Sequence, residues 1–149
     1  MKEHKPNVDM FFYGTLRATE VRQAVLGKDL PATQLFFAQL SGFEVRRVAG
    51  AGYPMLVSGK HEDAIVDGVM ACGLDTDSLN RLDRFEGPDY QRCVITVICD
   101  GHPHIAQSYM PLNAVQAAEK WDFDKWYSSG LKAFMRDEFN LLGVRRPQK

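Results

Sequence analysis

Two stretches of this 149-residue chain combine residue types that could do chemistry. The first is Phe11-Phe12-Tyr13-Gly14-Thr15-Leu16-Arg17, an apolar aromatic run that breaks into a polar turn. A strand ending at Gly14 can bend sharply and bring its backbone close to a ligand. If the N–H groups of Gly14, Thr15 and Leu16 point one way, they form a nest for a carboxylate or a developing oxyanion. There is no Gly-Lys-Ser/Thr pattern, so this is not a phosphate loop. The second is Leu82-Asp83-Arg84-Phe85-Glu86-Gly87-Pro88-Asp89-Tyr90-Gln91-Arg92. Glu86 follows a core-facing Phe85 and precedes a helix-breaking Gly-Pro, so its carboxyl can reach from a helix end into a partly apolar cavity. Desolvation there raises its pKa and makes it a base suited to neutral pH. Each stretch also has a plain reading: a strand-to-helix connection for the first, a solvated helix-end glutamate for the second. Asp83 and Asp89 read as surface or turn residues.

Other chemistry-bearing residues point less far. His102 and His104 have the spacing of a metal pair on one strand face, but no further ligand cluster accompanies them. Cys72, Cys93 and Cys99 form no Cys-x-x-Cys pair and read as buried reduced thiols; a cysteine-dependent hydrolase using Cys72 or Cys93 is a lesser alternative. No Gly-x-Ser-x-Gly elbow is present. Arg46-Arg47 and Arg145-Arg146 read as solvated charge pairs, and the Trp121–Trp126 region as packing.

These residues need elements to hold them. Asp9–Tyr13 reads as a strand and Thr19–Gly27 as a short helix with Thr19 as cap and Gly27 as stop. Strands follow over Gln34–Leu40, Gly42–Val48, Tyr53–Val57 and Ala64–Leu74, separated by glycines and the polar Ser58–Asp63 turn. Leu79, Leu82 and Phe85 switch to helical spacing, with Asp75 or Asp77 as cap and Gly87-Pro88 as stop. Strands Tyr90–Cys99 and Ile105–Met110 come next, and a helix from about Ser128 to Leu142 ends the ordered part. Strands in hairpin series with few helices predict an α+β fold with short helices and a C-terminal helix, its mostly antiparallel sheet flat or curled into a β-barrel. One domain is expected over residues 9–143, with tails at 1–8 and 144–149.

Composition is that of an ordinary globular chain: 45% hydrophobic, 25% charged, net charge -1. The charge balance offers no basic field for nucleic acid. No apolar run is long enough to span a membrane, and the N-terminus lacks a signal-peptide core, so a cytoplasmic location is expected.

Taken in order, the motifs resemble those of the gamma-glutamylcyclotransferase-like family. Tyr13-Gly14-Thr15-Leu16 resembles its N-terminal Tyr-Gly-Thr/Ser signature, and Gly52–Val57 its Tyr-Pro segment. Gly68–Val97 resembles its central block, with Leu-Asp-x-Phe-Glu-Gly and Tyr-x-Arg intact, and Ala106–Tyr109 its Ala-x-x-Tyr strand. The resemblance implies a small mixed β-barrel with flanking short helices and a cavity at one end, and cleavage of a small-molecule gamma-glutamyl amide with release of 5-oxoproline. It implies Glu86 as acid/base group, the Tyr13, Gly14, Thr15 and Leu16 turn as holder of the glutamyl part, and Tyr90, Arg92 and Tyr109 as lining or support. The chemistry it implies uses no metal and no cofactor, because the substrate's own alpha-amine is the nucleophile. The Tyr-Gly-Thr-Leu form of the turn looks more like members acting on gamma-glutamyl amines than on dipeptides. The leaving group is expected to meet the loop from Arg47 to Gly52 and the C-terminal segment. A binding module that keeps the cavity without catalysis is the alternative. The sequence leaves the oligomeric state open.

Overall fold

The structure, a computed structural model, describes residues 7–51, 53–59, 63–112 and 116–139. Most of both expected tails, Gly52, the middle of the Ser58–Asp63 turn, Leu142 and Arg145-Arg146 lie outside these residues. Among the described residues eight strands are present: β1 Val8–Phe12, β2 Leu35–Ser41, β3 Phe43–Val48, β4 Pro54–Ser58, β5 Ile65–Leu74, β6 Tyr90–Cys99, β7 His102–Pro111 and β8 Ala117–Lys120. Helices are α1 Thr19–Leu26, α2 Thr76–Glu86 and α3 Phe123–Ser129, followed by the short α4 Leu131–Ala133 and a wide turn over Phe134–Glu138.

Five strands close a barrel in the order β1-β5-β2-β6-β7, and β4-β3-β8 form a separate small sheet. Neighbouring barrel strands are antiparallel except β1 and β7, which run parallel where Met10 meets Gln107. The expected α+β barrel with flanking helices is therefore the fold found. Alternation along β1 builds two cores at once. Phe11 and Tyr13 join Leu40, Val66, Met70 and Val97 in one cluster. Met10 and Phe12 join the helix side chains of α1 and α2 in the other. Phe11 fits because β5 carries Gly68 beside it: a Cβ at Gly68 would lie 2.5 Å from the Phe11 ring and 2.5 Å from the Phe12 carbonyl.

Several expectations are corrected. Val8 belongs to β1 rather than to a tail. Thr19 is not the cap of α1; Ala18 is, and the Thr19 hydroxyl instead accepts from Arg22. His102 and Pro103 extend β7 back to the Asp100-Gly101 turn, where φ is positive at both residues, as a tight hairpin requires. The C-terminal helix starts at Phe123, capped by the Asp122 carboxylate accepting from the Lys125 N–H, and is interrupted at Gly130. Arg46 and Arg47 are not free solvated charges. Arg46 pairs with Glu44 and donates to the Ala118 carbonyl, and Arg47 grips Glu119 through two nitrogens, tying β3 to β8. Of the cysteines only Cys99 is fully buried; Cys72 and Cys93 are half-buried, and all three are free.

Candidate functional site

The site grows out of the ends of β1 and α2. Beyond β1 the chain makes a single tight turn over Thr15–Arg17, closed by Arg17 N–H to Gly14 O and Ala18 N–H to Thr15 O, both at 3.0 Å. The N–H groups of Gly14, Thr15 and Leu16 precede the first of these bonds, so the turn itself does not consume them. Buried Arg22 braces the turn from behind, donating to the carbonyls of Leu16 (3.0 Å) and Arg17 (2.6 Å). Sequence reading gave Arg22 no role; its partners are six and five residues away, on a turn whose shape is not legible beforehand.

Gly14 is required by a close approach. A Cβ there would stand 2.8 Å from Cγ of Pro54. The Tyr-Gly and Tyr-Pro segments thus touch across the cavity mouth. Gly14→Ala is expected to cost about 1–2 kcal/mol, because the proline ring cannot yield as a flexible chain would. A urea titration checks this, and an unchanged midpoint would deny the contact.

Asp75 caps α2, accepting from the Ser78 N–H at 2.9 Å. Leu79, Leu82 and Phe85 are buried on its inner face, and Phe85 packs on Phe139 at 5.5 Å between ring centroids. With that face fixed, the next residue around the helix, Glu86, turns toward the end of β1. The helix stops at Gly87, whose N–H bonds to the Asp83 carbonyl.

Glu86, Tyr13, Gly14, Thr15, Leu16, Tyr90 and Tyr109 all line one cavity. The structure therefore brings together every site residue expected from sequence except Arg92. Tyr53, Pro54 and Ser108 complete much of the wall. The free space is about 40 Å³. One water needs roughly 10–15 Å³, so the cavity has room for about three waters. Tyr90 and Tyr109 also line a wide open groove alongside α2, and Tyr13 a second groove toward Trp121 and Phe123. Among the described residues of the Arg47–Gly52 loop, none lines the cavity.

Burial dominates the electrostatics. The Glu86 carboxyl is pushed up from its ordinary 4.5 to about 8, first by desolvation and then by the charge of Asp83 one turn earlier. Its place at a helix C-terminus works in the same direction. The Tyr90 phenol is raised by burial and by the charge of Glu86, which keeps it protonated. The Tyr13 hydroxyl donates to the Tyr109 carbonyl at 3.0 Å and lies against the Leu56 backbone N–H, so its oxygen is spent on joining β1, β4 and β7.

Arg92 stands behind the cavity wall. It pairs with Asp83 (Nε to Oδ1, 2.9 Å) and donates to Gln107 (3.1 Å). Asp83 in turn accepts from the Tyr109 hydroxyl at 2.5 Å. Asp83 is thus not a plain surface residue. The available signal was its spacing, three residues before Glu86 on one helix face.

Burial also pushes the Cys72 thiol up, opposite to what a nucleophilic thiolate needs. Among the described residues no group of three or more His, Cys, Asp or Glu could hold a metal ion, and no helix is long and apolar enough to cross a membrane.

Known proteins resemble this chain along most of its length. AIG2-like protein A of Arabidopsis thaliana is 26% identical over 142 residues, covering 93% of this chain and 83% of that protein. A solution structure of another Arabidopsis thaliana protein superposes with a TM-score of 0.67 at 22% identity, over 91% of this chain and 82% of that one. A structure of a gamma-glutamyl cyclotransferase superposes with a TM-score of 0.61 at 18% identity, over 89% and 85% of the two chains. The pattern described as gamma-glutamyl cyclotransferase, AIG2-like, matches residues 10–128. With that match spanning the barrel, the Gly14 turn and Glu86, the chain belongs to the gamma-glutamyl cyclotransferase, AIG2-like family.

Proposed function

We propose that this protein cleaves a gamma-glutamyl amide by attack of the substrate's own alpha-amine, releasing 5-oxoproline and a free amine, with Glu86 as general acid and base. The observation that carries the reading is the shared cavity: a carboxyl raised to about 8 and the Gly14 turn line one small space.

The substrate's alpha-amine carries a free alpha-carboxylate and so titrates above the roughly 7.7–8.0 of a chain-terminal amine; a Glu86 carboxyl at about 8 takes its proton far more readily than one at 4.5 would. The neutral amine attacks the gamma-carbonyl. A C–N bond forms, the carbonyl electrons move to oxygen, and the five-membered ring closes. Backbone N–H groups at Gly14, Thr15 and Leu16 supply the charge-stabilising donors, for the oxyanion or for the alpha-carboxylate. Collapse of the oxyanion breaks the bond to the leaving nitrogen, which takes the proton from Glu86. The ring nitrogen, still carrying two hydrogens, gives one to the regenerated Glu86 carboxylate, which passes it to the departing amine. The lactam thus keeps a single N–H and Glu86 returns to its starting state. Folding the glutamyl chain into this pose supplies a proximity gain that can reach about 7 kcal/mol. The leaving group stays outside the small cavity, in one of the two adjoining grooves, and gamma-glutamyl amines are the substrate class favoured by the Tyr-Gly-Thr-Leu turn.

The test is 5-oxoproline release from gamma-glutamyl-alanine, glutathione and gamma-glutamyl-epsilon-lysine. Product from at least one is expected, and it names the leaving group. A folded protein that releases none of it from all three would favour a cavity kept for binding alone.

A further inference from the structure

Tyr109 is held at both ends. Its carbonyl accepts the Tyr13 hydroxyl, and its own hydroxyl donates to Asp83 Oδ1 at 2.5 Å. Asp83 is itself clamped by Arg92, with Nε 2.9 Å from Oδ1 and the second terminal nitrogen 3.3 Å from Oδ2. Arg92 sits opposite Tyr109 in the β6–β7 register and also reaches Gln107, two residues before Tyr109 on β7. A carboxylate paired to a guanidinium has lone pairs only, so the proton in the Asp83–Tyr109 bond belongs to the phenol. A phenol has one proton to give. With it committed to Asp83, Tyr109 can offer the cavity nothing but acceptor capacity.

We propose that Asp83 is a positioning residue: by holding the Tyr109 proton it turns that hydroxyl into a second acceptor beside Glu86, a socket for the N–H groups of the substrate's amine. The inference rests on the cyclotransferase reading for its substrate. An amine held through one N–H by Glu86 and through another by Tyr109 has its lone pair aimed in a single direction, toward the carbonyl it attacks. Without Asp83 the phenol proton is free to turn to Glu86, which lines the same cavity, and to occupy the base. Burial and the neighbouring carboxylates raise the Tyr109 phenol, so it remains a donor to Asp83 across the working pH range.

The experiment is a double-mutant cycle on kcat and KM, each variant at its own optimum pH, with Asp83→Ala, Tyr109→Phe and the pair. Asp83→Ala is expected to lower kcat about 30-fold with KM changed less than threefold, and to add almost nothing in the Tyr109→Phe background. Asp83→Asn, which keeps an acceptor oxygen, recovers at least threefold. Independent multiplication of the two losses, or a kcat for Asp83→Ala within twofold of wild type, overturns the proposal. A second readout needs no turnover: the affinities of L-glutamate and of glutarate, which lacks the amine. Wild type is expected to favour L-glutamate at least tenfold and Asp83→Ala to lose that preference. Should Asp83→Ala not fold, Tyr109→Phe must lose it instead. If wild type releases no 5-oxoproline yet shows this preference and its loss, the cyclotransferase reading fails and the socket stands. If it turns over but the cycle is additive, the socket fails alone.

Discussion

Glu86→Gln should remove turnover by about a thousandfold while making the protein more stable at alkaline pH, not less. The loss of rate follows from the range a positioned acid/base group contributes, roughly 10²–10⁴. The gain in stability follows from linkage. Glu86 titrates near 4.5 when unfolded and at about 8 in the folded protein, so between those values the folded state holds the extra proton. The favourable contribution is complete below pH 4.5 and is lost as pH rises through 8. Glutamine has nothing to titrate. The variant and the wild type should therefore melt together near pH 5. They should separate progressively up to pH 9, where the variant leads by on the order of 4 kcal/mol. Calorimetry across that range, alongside the 5-oxoproline assay, tests both halves. A parallel pair of Tm curves would mean that Glu86 is solvated in the folded state. Ordinary turnover by the variant would take the acid/base role away from it.

Gly68→Ala should be among the most damaging single-methyl additions in the barrel. The added Cβ would stand 2.5 Å from Phe12 O, which is backbone, and 2.5–2.6 Å from two atoms of the Phe11 ring. Neither has room to retreat. Phe11 is 1% exposed inside the barrel, and the Phe12 carbonyl belongs to a strand paired with β5. Overpacking of this kind costs about 3 kcal/mol, a large share of the roughly 5–15 kcal/mol that holds a domain folded. For a chain of this size that corresponds to a fall in Tm of roughly 6–12 °C. Adding Phe11→Leu should return part of the loss by clearing the ring, and not all of it, because the carbonyl stays. A Gly68→Ala protein melting within 2 °C of wild type would contradict the strand packing described.

Both predictions concern residues with different visibility in the sequence. Glu86 could be placed because its surroundings are local. Asp75 as cap, Leu79, Leu82 and Phe85 on one face, and Gly87-Pro88 as stop fix where the helix ends and which residue ends it. Gly68 was unremarkable in the sequence, because its importance depends on Phe11, 57 positions away, and on the register that sets them side by side. β8 was missed for a related reason. Ala117-Ala118-Glu119-Lys120 has no β-branched or aromatic residue, and it is a strand because Arg46 and Arg47 reach across to it.

The sequence by itself determined the α+β class, the break after Tyr13 and the end of α2 at Glu86, since each follows from periodicity, caps and breakers within about ten residues. The choice of Glu86 and of the Tyr13–Leu16 turn over their plain readings came from the order of motifs that carries the family resemblance. Only the tertiary structure decided how the barrel closes, with β1 parallel to β7, and so which side chains face the cavity. It alone joined Tyr13 to Tyr109 across 96 positions and Tyr109 to Asp83 across 26. Hydrogen bonds of that span depend on strand register and barrel closure, and a residue pattern read one element at a time contains neither.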